Sequence, residues 1–112
     1  MQHKMKLSSK SFGKIARKEK VIESRLYDEK RQLIRLGDEI EFSENDKPET
    51  KVSARVIGLL RYQSFKDLFR DHEPALFGGE DRAFLLNEIK SFYSDEDEQK
   101  YGVVGVRIEV AA

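Results

Sequence analysis

The sequence predicts a small α+β domain in which helices pack against a curved or barrel-like β-sheet. Apolar and polar residues alternate near both chain ends, which indicates strands, whereas the segments between them carry helical spacing. The chain has 112 residues, of which 38% are hydrophobic, enough for one modest core. We therefore expect a single domain over residues 1–112, with residues 1–4 as a flexible N-terminal extension.

The first third predicts a strand, a helix and a second strand. Residues 5–7 form the first strand, and Ser8 or Ser9 provides the N-cap of a helix that ends near Lys20. From Val21 to Tyr27 the period is two, so alternate side chains lie on opposite faces of a strand. One of these faces carries charged residues and is too polar for an ordinary core.

The remaining two thirds predict three strands and two helices. A capping box at Ser64 starts the first helix, Gly78 breaks the chain before the second, and Gly58 indicates a bend in the longest strand. We expect strands at 39–42, 51–62 and 101–110, a loop at 43–49, helices at 64–73 and 80–92, and a solvated acidic connector at 94–99.

Composition excludes several classes of protein. There is no cysteine, so disulfides and thiolate chemistry are absent, and a reducing cytoplasm is the expected compartment. No apolar stretch approaches the roughly 20 residues that cross a bilayer, and the start lacks the apolar core of a secretory signal.

Residues 1–36 carry 11 Lys/Arg against 4 Asp/Glu, whereas residues 37–112 carry 10 against 17. This asymmetry predicts either a local anion-binding surface or simple pairing of charges across the fold.

The segment most suggestive of chemistry contains Lys20, Glu23 and Arg25. A strand places Glu23 and Arg25 on one face, and Lys20 lies where the helix ends. Arg25 suits a carboxylate or phosphate, Lys20 suits a carbonyl or phosphate oxygen, and Glu23 accepts from an amide, amino or hydroxyl group. The alternative is an internal ion pair that only orders the strand.

This segment resembles the Gly-x-Lys-x-x-Glu-x-Arg signature of the ASCH family, which belongs to the PUA-like superfamily of small β-barrel domains. Lys20, Glu23 and Arg25 match in spacing, whereas Lys18 replaces the glycine. The similarity covers nearly all of the chain from Met5 onward and continues through the segments 25–28, 37–42, 62–68 and 93–105.

The resemblance implies a PUA-like barrel with a cleft that binds RNA or modified nucleosides. Some bacterial members hydrolyse the amide of acetylated cytidine with a Lys, a Thr and a Glu, and others are ribonucleases. The threonine falls at Glu23, which could still act as a general base. Lys20 and Glu23 are therefore the candidate catalytic residues for the alternative hydrolase function, and Glu73 lies in the region of the family's catalytic glutamate.

The remaining candidates complete the predicted ligand site. Tyrosines stack on bases and reach their edges, so the expected ligand-binding set is Lys20, Glu23, Arg25, Tyr27, Tyr62, Ser64 and Tyr101. Each tyrosine taken alone is more often a core or rim residue. We predict no cofactor and no metal, because the two histidines, His3 and His72, lie far apart in the sequence and the acidic run 95–98 lacks the spacing of a calcium loop. RNA or a nucleotide-like small molecule is the expected partner.

Overall fold

The sheet has five strands in the order β1-β3-β4-β5-β2. The computed structural model describes residues 1–111. Its strands are β1 (Gln2–Leu7), β2 (Ile22–Leu26), β3 (Glu39–Glu44), β4 (Lys47–Tyr62) and β5 (Val103–Val110). Its helices are α1 (Ser9–Ala16), α2 (Phe65–Asp71), α3 (Arg82–Lys90) and α4 (Asp95–Tyr101), with short 3-10 turns at Arg31–Leu33 and Pro74–Phe77.

The sheet curls into a half-barrel that stays open between its two edge strands, β1 and β2. β1 runs parallel to β3, and the other neighbouring strands are antiparallel. The two edges approach each other at one point, where Arg25 Nη2 donates to the carbonyl oxygen of Lys6 at 3.1 Å. The predicted α+β class with a curved sheet is thus confirmed.

Two apolar clusters fill the fold on opposite sides of the sheet. One packs α1 against β1, β3, β4 and β5, with Phe42 and Ile40 fully buried. The other packs β2 and the start of β5 against α2, α3 and the turn at Pro74–Phe77, with Phe65 and Leu68 fully buried. In the second cluster Leu85 of α3 packs with Ile22 and Leu26 of β2, which is an edge strand of the sheet.

Several boundaries differ from the sequence-based prediction, most clearly at the start of β1 and at the turn between β3 and β4. β1 begins at Gln2, so residues 2–4 pair with β3 instead of forming a flexible extension, and His3 Nε2 lies 2.8 Å from Asp38 Oδ2. The expected loop at 43–49 is a tight turn, because β3 continues to Glu44 and β4 starts at Lys47. The predicted bend at Gly58 is present as a register shift against β5.

The acidic segment after Ser94 is a helix and not the predicted connector. The Ser94 hydroxyl accepts from the Asp97 N–H at 3.1 Å, and the four acidic residues of the first turn complement the positive end of the helix. Glu98 is buried and accepts from the Phe65 N–H at 2.8 Å, so α4 caps the start of α2. Glu98 therefore has a structural role, whereas the other acidic residues of this segment are exposed to solvent.

Candidate functional site

A pocket of about 400 Å³ lies where the barrel remains open, between the free edges of β1 and β2. We call it the seam pocket. Polar groups from both strand edges form one side of it, and apolar groups from α2, α3 and the segment after α3 form the other. It is lined by Lys6, Leu7, Ser8, Ser11, Lys20, Glu23, Ser24, Arg25, Asn45, Phe69, Phe77, Leu85, Glu88, Ile89, Phe92 and Tyr93.

The structure brings Lys20, Glu23 and Arg25 together in the seam pocket. Lys20 Nζ lies 2.8 Å from Glu23 Oε1, and Arg25 Nε lies 2.7 Å from Glu23 Oε2. The Glu23 side chain is 6% exposed, so its carboxylate is held between two cations away from water. Both the predicted ion pair and the predicted pocket are therefore present in the same place.

The charges stabilise one another's ionised forms. Burial raises the pKa of Glu23, but the nearby Lys20 and Arg25 cations outweigh this effect, and the net pKa lies below its ordinary value. Burial likewise lowers the pKa of Arg25, yet the Glu23 carboxylate and the Tyr93 hydroxyl raise it above its usual value. Glu23 is thus a firmly ionised anchor, which favours a positioning role over proton transfer.

The end of α1 places Lys20 at the entrance of the strand. The Lys18 N–H bonds to the Ile15 carbonyl, and the Glu19 N–H bonds to the Lys14 carbonyl, the two bonds of a Schellman ending. Lys18 occupies the left-handed position with φ of 65°. The glycine of the family signature is therefore replaced without loss of the turn, although a side chain is strained there.

Gly78 packs against the Lys20 stem from the opposite side. With φ of 82° it adopts the left-handed conformation, and a Cβ at this position would lie 3.1 Å from the Lys20 Cβ. The Lys14 ammonium also donates to the Gly78 carbonyl. These contacts fix the direction in which Lys20 reaches the pocket.

Aromatic side chains form the apolar wall of the seam pocket. Phe69 and Phe77 pack edge to face with ring centroids 4.8 Å apart, and Tyr93 stacks on Phe65 with centroids 5.6 Å apart. Phe92 is 70% exposed although it lines the pocket, so one ring at the rim lacks a protein partner over most of its surface.

Sequence reasoning missed two residues at the rim of the seam pocket, Glu88 and Phe92. Helical spacing over the predicted helix at 80–92 places Glu88 on its solvent side and Phe92 on its apolar face. In the structure α3 ends at Lys90, so Phe92 lies beyond the helix and Glu88 reaches the pocket rim. The available signal was the Ser91-Phe92-Tyr93-Ser94 sequence, in which two aromatics follow a helix end and precede an N-cap serine.

The other predicted site residues lie elsewhere. Tyr62, Ser64 and Tyr101 line a more open groove of about 800 Å³, together with Arg61, Gln63, Asp67, Gln99, Lys100 and Gly102. We call it the Tyr62 groove. Tyr27 lies under Arg61, whose guanidinium is 3.7 Å from the ring centroid.

Residues of the Tyr62 groove already have structural partners. The Ser64 hydroxyl accepts from the Asp67 N–H and caps α2, and the Tyr62 hydroxyl lies 3.3 Å from His72 Nε2. Burial and the Asp71 carboxylate raise the pKa of Tyr62. The sequence-predicted ligand set is thus dispersed: its charged members line the seam pocket, Tyr62, Ser64 and Tyr101 line the Tyr62 groove, and Tyr27 lines neither.

The remaining sequence candidates do not join the seam pocket. Glu73 is exposed and lies outside its lining. Within residues 1–111, no three His, Asp or Glu side chains cluster closely enough to hold a metal ion. Nor does any helix of that range have the length and apolarity needed to cross a membrane.

Comparisons with known proteins give one family match and two similar solved structures above 30% identity. A family model described as the ASCH domain matches residues 5–111. The crystal structure of a hypothetical protein named PH0355 has a TM-score of 0.87 and 34% identity, covering 99% of this chain and 100% of that chain. Protein PF0455 from Pyrococcus furiosus, solved by NMR, has a TM-score of 0.77 and 32% identity, covering 98% and 97%.

A more distant likeness concerns the fold alone. ASCH from Zymomonas mobilis has a TM-score of 0.59 at 12% identity, covering 96% of this chain and 66% of that chain. No curated protein matches the chain.

Proposed function

The chain belongs to the ASCH domain family, and on that premise we propose that it binds RNA or a base-like ligand such as a modified nucleoside in the seam pocket. The proposal depends mainly on one observation: a Lys20–Glu23–Arg25 cluster opens into a pocket whose facing wall is aromatic. A nucleotide requires the same two kinds of surface, an apolar one for the face of the base and a polar one for its edges and phosphate.

Size and wall chemistry support a base-sized ligand. The seam pocket measures about 400 Å³, within the range of roughly 300–1,000 Å³ typical of small-molecule sites. The exposed ring of Phe92 provides a stacking surface at the rim. Base–aromatic stacking contributes about 1–3 kcal/mol and does not depend on which base is bound.

The cations retain hydrogen-bonding capacity. An ammonium group has three N–H donors, and Lys20 directs one of them to Glu23. A guanidinium group has five, of which Arg25 uses Nε on Glu23 and one Nη2 donor on the Lys6 carbonyl, and the Tyr93 hydroxyl engages a further one. Because Lys20 and Arg25 both line the pocket, their remaining donors are available to a phosphate or carbonyl oxygen that enters it.

The test is a binding titration with short single-stranded RNAs and modified nucleosides. Phe92→Ala removes an exposed ring and leaves the core intact, so it should weaken binding by about tenfold through lost stacking. Phe84→Ala is the matched control, because Phe84 is an exposed phenylalanine of α3 outside the pocket lining. Arg25→Ala should abolish phosphate-dependent affinity. Negligible binding by the wild type, or equal binding by the wild type and Phe92→Ala, would exclude the proposal.

Hydrolysis of an acylated nucleoside or of RNA is the second candidate. It is favoured by the Lys20 ammonium, which faces the pocket with donors that could polarise a carbonyl or phosphoryl oxygen. It is disfavoured by Glu23, because both of its oxygens are engaged and its lowered pKa makes it a weak base. Incubation with acetylated cytidine and with RNA decides the matter: product above the blank that disappears in Lys20→Ala would establish an enzyme.

A further inference from the structure

The main chain of β2 has a free hydrogen-bonding edge in the seam pocket. In an antiparallel pair, alternate residues direct their N–H and C=O groups toward the partner strand. The Ile108 N–H donates to the Val21 carbonyl, and the Tyr27 N–H donates to the Gly102 carbonyl. The odd-numbered residues of β2 therefore face β5, and Ser24, which lies between Glu23 and Arg25, directs its N–H and C=O away from the sheet.

The edge of β1 has the complementary arrangement. The Asn45 N–H donates to the Leu7 carbonyl, so Leu7 faces β3 and Lys6 faces outward. The Arg25 guanidinium donates a hydrogen bond to the outward-facing Lys6 carbonyl. This contact confirms that the two unpaired edges face each other across the pocket.

Ser24 differs from the other outward-facing residues of β2, Ile22 and Leu26, because it is the one of the three that lines the seam pocket. It is 9% exposed. Burying a peptide N–H and C=O without partners costs about as much as the loss of a hydrogen bond, so native structures supply a partner from protein, water or ligand. Among residues 1–111, no strand lies on this side of Ser24, since β2 is the last strand of the sheet.

We propose that the Ser24 peptide group binds the hydrogen-bonding edge of the ligand, while Phe92 holds one face of it. This inference rests on the proposed function and specifies the ligand as a flat heterocycle with a donor and an acceptor on one edge. All four nucleobases have such an edge, so the Ser24 peptide group would bind any base without distinguishing one base from another. The side chains of Lys20 and Arg25 remain available for phosphate or carbonyl oxygens.

Hydrogen exchange on the wild-type protein tests the proposal directly. In the free protein the Ser24 amide should exchange rapidly, and saturation with uridine or cytidine monophosphate should slow its exchange at least tenfold. The amides of Glu23 and Arg25 are internal controls, because both are paired with β5 before the ligand is added. A ligand that binds in a Phe92-dependent way yet leaves Ser24 exchange unchanged would overturn the inference but spare the proposed function. Complete absence of binding would overturn both.

A ligand-side test needs no protein variant. The methyl group of 3-methyluridine monophosphate blocks the donor on the base edge and leaves its face and phosphate intact. We expect it to bind at least tenfold more weakly than uridine monophosphate. Equal affinity of the two would refute edge recognition.

The protein-side test removes only the main-chain donor. Proline lacks the N–H, and proline is tolerated on edge strands where that N–H is outside the ladder. Ser24→Pro should therefore weaken binding at least tenfold, and Ser24→Ala, which keeps the peptide N–H, should remain within twofold of wild type. Equal loss in both variants would assign recognition to the hydroxyl and overturn the proposal. If Ser24→Pro fails to fold, the exchange and 3-methyluridine measurements decide.

Discussion

Replacing Glu23 with glutamine should destabilise the protein strongly, although the two side chains have nearly the same shape. Glu23 is the single anion between Lys20 and Arg25, and both of its oxygens are paired. Glutamine keeps one oxygen as an acceptor and turns an NH₂ group toward the other cation. The variant thus leaves both positive charges without a compensating anion, and the net charge of the cluster rises from +1 to +2.

The size of the effect follows from burial. Removing one partner of a buried ion pair costs about 3–5 kcal/mol. Lys20 and Arg25 are 13% and 14% exposed toward the pocket, so water partly screens the charges that remain. We therefore expect about 3 kcal/mol, the lower end of that range, which lowers the midpoint of urea unfolding by about 1.5 M when the slope is about 2 kcal/mol per M.

Acid should reduce the difference between wild type and Glu23→Gln. The pKa of Glu23 in the folded protein lies below its ordinary value of 4.5, so the stability that it contributes is complete above that pH and is lost as pH falls through the folded pKa. A protonated Glu23 resembles glutamine in charge. The gap in unfolding free energy should be full at pH 7 and should narrow below pH 4.5.

The assay is urea unfolding of both proteins at several pH values. Glu88→Gln is the control, because Glu88 lines the same pocket but is exposed and has no ion-pair partner among residues 1–111; its substitution should change stability by less than about 0.5 kcal/mol. A Glu23→Gln cost below about 1 kcal/mol, or a cost that does not vary with pH, would refute the ion-pair reasoning.

Three further predictions concern other parts of the fold. Lys18→Gly should stabilise the protein by about 1 kcal/mol in urea unfolding, because it relieves the left-handed backbone with φ of 65°, whereas Lys18→Ala should have little effect. Glu98→Ala should cost about 2 kcal/mol, because the buried Phe65 N–H loses its acceptor; retained stability would show that water replaces it. The pKa of Asp38 should be about 2, since hydrogen bonds from the His3 side chain and the main chain lower it, and His3→Ala should raise it toward 3.8 in an NMR titration.

Helix starts and the faces of strands could be predicted, because each depends on residues that are close together in the sequence. Serine followed by a helical apolar pattern correctly located the starts of α1 and α2, and the period of two correctly placed Glu23 and Arg25 on one face of β2. The segment 95–98 was wrongly assigned, because four acidic residues satisfy both a solvated connector and the first turn of a capped helix. The hydrogen bond from the Phe65 N–H to Glu98 distinguishes these two outcomes, and it joins residues that are far apart in the sequence.

The composition of the pocket could not be predicted, because it depends on which strands remain unpaired. Periodicity assigns a side chain to a face of a strand, but it does not reveal whether the strand is central or at an edge, and Ser24 has a free peptide group only because β2 is the last strand of the sheet. The same limit applies to Tyr62 and Tyr101, which are predicted beside Lys20 because tyrosines stack on bases. Tyr62 ends β4 and Tyr101 ends α4, and β5 separates β4 from β2. If this fold recognises its ligand with an unpaired main-chain edge, a sequence signature cannot show the recognising groups, because every residue has the same main chain. It can show only the side chains that keep the two edges apart. Lys20, Glu23 and Arg25 fit that role, since their charges occupy the seam between β1 and β2 where a closing strand pair would otherwise form.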